Sequence, residues 1–474
     1  MPDTSYSGYS KSQPWNALRG FKSRSQILIS GNYFRITDHP IPNIFKTGFQ
    51  WAINLLVILM PLSIYWPLME PIVPGVFKMY VTPGIYLTDF AVMGVIILGS
   101  VNIIIQRKEN RIEFAISKNY SLTIPLLLIG VLGIISSLFA LSRNLALYTG
   151  FRWLLTILLY LVLTHNKILF GQTIKFFLFG LCAHTLIGVG QFIQRGPLNL
   201  PGELALEVNQ AGAARIVTEG VNWLRAYGMT FHPNVLGGFL VVGLLLGLPL
   251  LGRLYIKPIW ILLGLGLILS FSRSAWLAAG ITLPFVVIWF YIRQPNLRRP
   301  LGYTLGTALF ISIVALGIFW NSFISRLNPL SSMVEFTSLI GRGELLRIAL
   351  VTIAEQPLFG VGPGNFPVAV LNTQTPANPH YVHNVALLLA AEIGVVALIL
   401  WYWLWLYPLK SIEYIWRGDN TWTIAIVAAW FSLGVISLWD FYPWALESGR
   451  LLTIFLLALC QQSLFNTIHT DGKL

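Results

Sequence analysis

Charge is scarce in this chain of 474 residues: only 10% of them are Asp, Glu, Lys or Arg, where a soluble domain carries about 25%. That shortage, beside 55% hydrophobic content and 17 Trp, 18 Tyr and 29 Phe, excludes an ordinary soluble enzyme and a disordered chain alike. Cysteine is scarcer still. Cys182 and Cys460 both lie in apolar runs, which excludes a disulfide framework and reads as two small buried hydrophobes. Phosphate-loop, dinucleotide and Asp-x-Asp motifs are missing, which argues against an ATP-driven pump and a metal-dependent nucleotide-sugar transferase. The first 47 residues lack the short apolar stretch and cleavage site of a signal peptide, so the first apolar run, near Phe49, is expected to stay in the mature protein.

What the chain has is long apolar runs. A helix needs about 20 apolar residues to cross a bilayer. Twelve segments qualify: 48–66, 86–105, 121–141, 149–165, 172–193, 234–252, 257–272, 274–292, 301–320, 383–407, 421–440 and 450–466. Runs such as Leu262–Ser270 do not alternate in polarity, as barrel strands would. The expectation is an all-α polytopic membrane protein of about 12 transmembrane helices. It divides into an N-terminal cytoplasmic segment (1–47), nine spans over 48–320 with an outer loop at 194–233, a large extracytoplasmic loop (321–382), three spans over 383–466, and a cytoplasmic tail (467–474).

Acids are the rarer charge, 18 against 31 Lys and Arg, for a net +13. Cytoplasmic loops retain Lys and Arg. With both termini inside, the inner segments hold ten Lys and ten Arg against seven acids, so the whole excess lies there. The outer set is neutral, and its cations are ten Arg and the single Lys78. The basicity therefore orients the chain and says nothing of nucleic acid. Orientation is indifferent to which cation is used; an oxyanion site is not, because the guanidinium fork binds phosphate in a bidentate way. Pairing with outer acids such as Glu335, Glu344, Asp440 and Glu447 is the plainer reading for any one Arg. The loop 321–382 exceeds the usual length of a connection and holds an amphipathic pattern from Glu344 to Gln356, read as a helix near the outer surface.

Four outer motifs could carry chemistry. Arg225-Ala226-Tyr227-Gly228-Met229-Thr230-Phe231-His232-Pro233-Asn234 leads into the sixth span, with Arg225 as the anion contact, Pro233 in the first helical turn and His232 structural. Ser270-Phe271-Ser272-Arg273-Ser274-Ala275 puts Arg273 between two spans, where it must face water, a polar cavity or an anion; the serines can cap the returning helix. Gly341-Arg342-Gly343-Glu344-Leu345-Leu346-Arg347 places Arg342 at the start of the loop helix, where free backbone N–H groups favour an anion. There Arg347 can simply pair with Glu344, and the later Gly360–Asn365 turn either cradles phosphate or stops a helix. His383-Asn384 opens the tenth span, nine residues follow, then Gly394. His383 can exchange protons near neutral pH, or be an interfacial amphipathic residue. His380 lies three residues away, without the further ligands of a metal site.

In this order the motifs resemble those of the O-antigen ligase/polymerase superfamily of bacterial polytopic proteins, best over residues 220–400. Ala397 stands where family ligases carry Gly, Thr or Tyr, which leaves ligase and polymerase both open. The resemblance implies a GT-C-like, metal- and cofactor-independent, inverting membrane glycosyltransferase. It takes a glycan from an undecaprenyl-pyrophosphate carrier and passes it to a hydroxyl of a lipid or glycan acceptor outside the plasma membrane. It implies His383 as general base, and Arg225, Arg273, Arg342 and Asn384 on the pyrophosphate, with Arg225 and Arg273 neutralising the leaving group. The competing class is a small-anion (bicarbonate) transporter. Such a protein should repeat polar residues at mid-membrane; Asp89, His184, Glu392 and Asp440 are the candidates.

Overall fold

The computed structural model describes residues 41–70, 81–108, 120–204, 213–218, 221–328, 333–373 and 379–470. An apolar run in lipid must satisfy its own backbone, and a helix does so within one segment. The first half holds α1 (Ile41–Leu59), α2 (Leu87–Lys108), α3 (Thr123–Ser136), α4 (Arg143–His165) and α5 (Phe170–Gln194). Then come α6 (Pro233–Gly247), α7 (Ile256–Leu269), α8 (Arg273–Arg293) and α9 (Arg298–Ile318). The segment expected as the large loop contributes α10 (Trp320–Leu327), α11 (Met333–Glu355) and α12 (Phe366–Asn372). The chain ends with α13 (Val385–Ile393), α14 (Val395–Leu406), α15 (Ile412–Arg417), α16 (Thr421–Ser437), α17 (Tyr442–Ala445) and α18 (Glu447–Thr470). Among the described residues, seven helices are long and apolar enough to cross a membrane, and four other apolar helices are shorter. The strands among the described residues form two antiparallel hairpins, β1 (Tyr65–Pro67) with β2 (Gly84–Tyr86) and β3 (Arg215–Thr218) with β4 (Val221–Leu224); neither closes into a barrel.

Every residue of α6 is buried, and so is most of α16, whereas α9 buries only Leu301, Thr304 and Ala315. The centre is therefore α6, α16 and α18, flanked by α4, α7 and α8. Close packing at this centre depends on small residues. At Gly238 of α6 a Cβ would stand 1.7 Å from Tyr442 Oη, so only glycine lets α17 approach.

Each of the twelve expected segments overlaps a helix, with shifted ends. The first helix starts at Ile41 rather than residue 48, and the fourth at Arg143 rather than 149. Of the expected N-terminal segment, residues 1–40 lie outside the described residues, as do 471–474 of the tail. Two expectations change more. The loop helix begins at Met333, not Glu344, and buries Leu345, Ile348, Ala349 and Thr352 along one face. The tenth span is broken: Gly394, at φ +98°, separates α13 from α14. The break is made by the loop. Val361 N donates to Ala391 O (3.0 Å), Gly362 N to Glu392 O (2.9 Å) and Val395 N to Pro357 O (2.9 Å). The Gly360–Asn365 turn thus spends amides on α13 carbonyls, as a helix stop does.

The polar residues inside the bundle are mostly tied to each other. Arg152 of α4 bridges Asp89 of α2 (2.7 Å) and Glu447 of α18 (2.8 Å), and Glu447 also pairs with Arg450. His184 Nδ1 accepts from Met229 N (3.2 Å). The Glu392 carboxylate accepts from Phe366 N (3.3 Å).

Candidate active site

Pro233 opens α6 as its first residue, and His232 caps it, its Nδ1 accepting from Asn234 N at 3.1 Å. This fixes the preceding segment against the α7–α8 turn, where Ala226 N donates to Leu269 O (3.1 Å). The turn reverses at Ser270–Ser272, and Ser272 caps α8 by accepting from Ala275 N. Arg225 is thereby buried, 3% exposed, with Nε donating to Ser270 O (2.8 Å) and Nη2 to Asn234 Oδ1 (2.6 Å). Asn234 Nδ2 donates in turn to Asp440 Oδ2 (2.8 Å), and Phe441 N donates to Asp440 Oδ1 (3.2 Å). Arg326 of α10 reaches the same place, with Nε donating to Phe271 O (3.1 Å).

Two adjoining cavities result. The first, about 210 Å³, is lined by Arg215, Arg225, Arg326 and Arg342, by His232, His380 and His383, and by Asp440, Phe441 and Tyr442. The second, about 270 Å³, is lined by Arg273, Ser274, Leu277, Leu339 and Trp439. Asn234, Arg326, Arg342 and Asp440 line both and stand between them. Of the residues expected to act together, Arg225, Arg342 and His383 share the first cavity, and Arg273 opens into the second. Asn384 lines neither. Its Oδ1 caps α13 by accepting from Leu387 N (2.9 Å), and its Nδ2 donates to Leu438 O (3.2 Å). Arg342 sits within α11 rather than at its first turn, so it lines the cavities without the free amides of a helix start beside it. Arg347 pairs with Glu344 on the exposed face (2.7 Å).

Arg215, Arg326, His232, His380 and Asp440 join the cavity without having been singled out for it. The outer preference for arginine signalled the kind of residue but not which ones. Arg215 arrives on β3, whose hairpin is held by Thr218 Oγ1 against Ser322 Oγ of α10 (3.3 Å). Asp440 is the acid that offsets the cluster of cations lining both cavities.

The electrostatics suit an anion and a neutral imidazole. Burial holds the His383 imidazole well below its ordinary 6.5, and the positive charges of Arg342 and His380 push it further. Burial does the same to His232, reinforced by Arg225, Arg326, His380 and Arg342. Burial thus favours the neutral form of both rings. His383 precedes α13, stacks on His380 (ring centroids 5.3 Å apart, planes within 6°) and meets the edge of Phe441 at 5.3 Å. Its Nδ1 is buried and makes no hydrogen bond. The two imidazoles lie face to face instead of converging on a point, an arrangement that stacks rings rather than clasping a metal.

No curated protein sequence matches the chain. Residues 258–402 match the family model described as O-Antigen ligase. That stretch contains Arg273, Arg326, Arg342, His380 and His383, and the match supports the resemblance to the O-antigen ligase/polymerase superfamily.

Proposed function

We propose that the protein is a membrane glycosyltransferase of surface polysaccharide biosynthesis. It transfers a glycan from an undecaprenyl-pyrophosphate carrier to an acceptor hydroxyl on the outer face of the bacterial plasma membrane. The observation that carries this reading is the pair of cavities joined across Arg326 and Arg342, one holding Arg273 and the other His383. The diphosphate lies on Arg225, Arg273, Arg326 and Arg342. Its polyprenyl chain leaves past Leu277, Leu339 and Trp439, apolar side chains that are 43, 49 and 47% exposed at the rim. The sugar reaches across toward His383 and Arg225. The acceptor oxygen attacks the anomeric carbon from the face opposite the phosphate, so the new bond forms with inversion as the carbon–oxygen bond to the diphosphate breaks. His383 Nε2 takes the hydroxyl proton, and the guanidiniums neutralise the diphosphate that departs. Asn384 serves by fixing the backbone next to His383.

The reading of twelve spans with both termini inside would have this site face outward, and the arginine-rich neutral half of the sequence supports it. Ligase and polymerase share the chemistry and differ in the acceptor: a lipid-linked core or a growing glycan. Transport is disfavoured because three of its four mid-membrane candidates, Asp89, His184 and Glu392, are engaged by Arg152, Met229 N and Phe366 N.

The test is transfer from a labelled polyprenyl-diphosphate glycan in membranes carrying the wild-type chain or His383→Ala. The variant should bind donor and lose transfer by about a hundredfold or more, within the range for a general base. Full transfer by His383→Ala refutes the base assignment. In cells lacking the protein, accumulated polymer on the carrier marks a ligase and single repeat units mark a polymerase. Unchanged glycans with impaired bicarbonate uptake refute both.

A further inference from the structure

Between the two cavities, hydrogen bonds run in one direction from Arg225 through Asn234 to Asp440. Arg225 Nη2 donates to the amide oxygen of Asn234 at 2.6 Å, and the amide nitrogen of Asn234 donates to Asp440 Oδ2 at 2.8 Å. All three side chains are buried, at 3, 7 and 3% exposure. An amide has one accepting and one donating end. Reversed, Asn234 would set its NH₂ against a guanidinium and its oxygen against a carboxylate, and both contacts would fail. The carboxylate of Asp440 therefore dictates which end of Asn234 meets Arg225. A carboxylate is otherwise out of place here, since it opposes any anion held by Arg225, Arg326 and Arg342. Its far oxygen is anchored by Phe441 N, at the corner between α16 and α17, so the whole series hangs from a fixed backbone point.

We propose that Asp440 is a positioning residue which, through Asn234, sets the orientation of the Arg225 guanidinium toward the diphosphate-sugar substrate. The inference rests on the transferase reading above, because orientation of Arg225 matters only if an anion docks there. Asp440 itself does not touch the reacting atoms. It removes rotational freedom from the guanidinium in advance, so that binding does not have to.

The prediction is specific because the series can be rebuilt with opposite polarity. In Asp440→Asn, one of the two hydrogen bonds at position 440 becomes a donor–donor contact. In Asn234→Asp, two carboxylates face each other. In the double variant Asn234→Asp/Asp440→Asn, Arg225 donates to the new carboxylate at 234, the amide nitrogen at 440 donates to that same carboxylate, and the amide oxygen at 440 accepts from Phe441 N. Every group is again paired and the net charge is unchanged.

The experiment uses the full chain in lipid nanodiscs, with inorganic pyrophosphate as the probe in calorimetry. Each single variant should bind pyrophosphate about tenfold more weakly, and the double variant should return to within about threefold of wild type. In an Arg225→Ala background, Asp440→Asn should have no further effect, which a purely structural role for Asp440 would not reproduce. A folded double variant as weak as Asp440→Asn overturns the proposal and puts Asp440 on the substrate. Single variants that bind like wild type, or an undiminished Asp440→Asn effect without Arg225, also overturn it while leaving the transferase reading in place. Wild type that fails to bind pyrophosphate overturns that reading, and the positioning role with it. If Asp440→Asn fails to fold, Asn234→Asp and the double variant carry the same comparison.

Discussion

Replacing Arg152 by Met tests the electrostatic clasp that joins α2, α4 and α18. The guanidinium touches Asp89 at 2.7 Å and Glu447 at 2.8 Å, and the Arg152 and Glu447 side chains are 7 and 6% exposed. With Arg152 removed, Glu447 keeps Arg450, but Asp89 is left with the backbone N–H of Tyr86 (2.8 Å) and no cation. One uncompensated carboxylate in a low-dielectric setting costs about 3 to 5 kcal/mol, or roughly a hundredfold or more in the unfolding equilibrium. Asp89→Asn alone leaves one surplus cation and should cost less, because Asp89 is more exposed (18%). The double variant Asp89→Asn/Arg152→Met leaves only the balanced Glu447–Arg450 pair. It should therefore be more stable than Arg152→Met by about 1 to 2 kcal/mol, a coupling of the size expected for touching residues. Unfolding in mixed micelles, followed by the fluorescence of the Trp153–Trp444 pair beside the clasp (ring centroids 5.1 Å), supplies the comparison. A double variant whose loss equals the sum of the single losses would refute the argument, since the charges would then act independently.

Other consequences can be checked more briefly. Transfer should hold steady from pH 8 down past 6.5 and fall only in more acid solution, because protonation at a depressed value is what disables His383; Arg342→Gln removes one cause of that depression and should move the acid limb of the pH–rate profile toward neutrality. Gly238→Ala should reduce transfer and stability together, by about 1 to 3 kcal/mol of overpacking in the latter, and Tyr442→Phe in the same chain should recover part of both in melting and transfer assays. Gly394→Ala should greatly lower the yield of folded protein on gel filtration, since its Cβ would stand 2.0 Å from Leu358 O at a φ of +98°. An impermeant thiol reagent should label a cysteine placed at Glu355 from outside intact cells and spare one placed at Lys410; the opposite pattern would invert the topology.

The helices were legible because apolar runs of this length have few other ways to satisfy their backbone. What escaped was set by distant partners. Nothing local marks Gly394 as a break; the Pro357–Gly362 segment makes it one by bonding to carbonyls of α13 and donating nothing of its own periodicity. Likewise Gly341 and Gly343 suggested the start of a helix, yet α11 continues back to Met333. At the site, Arg225, Arg342 and His383 could be picked out because each sits in a recognisable local motif. Arg326 and Arg215 could not, since their place in the cavity depends on how α10 and the β3–β4 hairpin meet. Asp440 was visible as an oddity, a carboxylate at the end of an apolar run, but its link to Arg225 spans 206 residues between Asn234 and its own position.

The way α11 is held has a mechanical outcome. This helix packs on α12 and α13. The face that begins at Leu345 is buried, while Phe336, Leu339 and Ile340 are exposed. The helix is thus a cantilever, clamped past Arg342 and open before it, and its open arm forms the shared wall of both cavities. A cantilever is displaced furthest at its free end. A load on this wall therefore displaces the arm near Leu339 further than the root beyond Leu345, so the two cavities change width together.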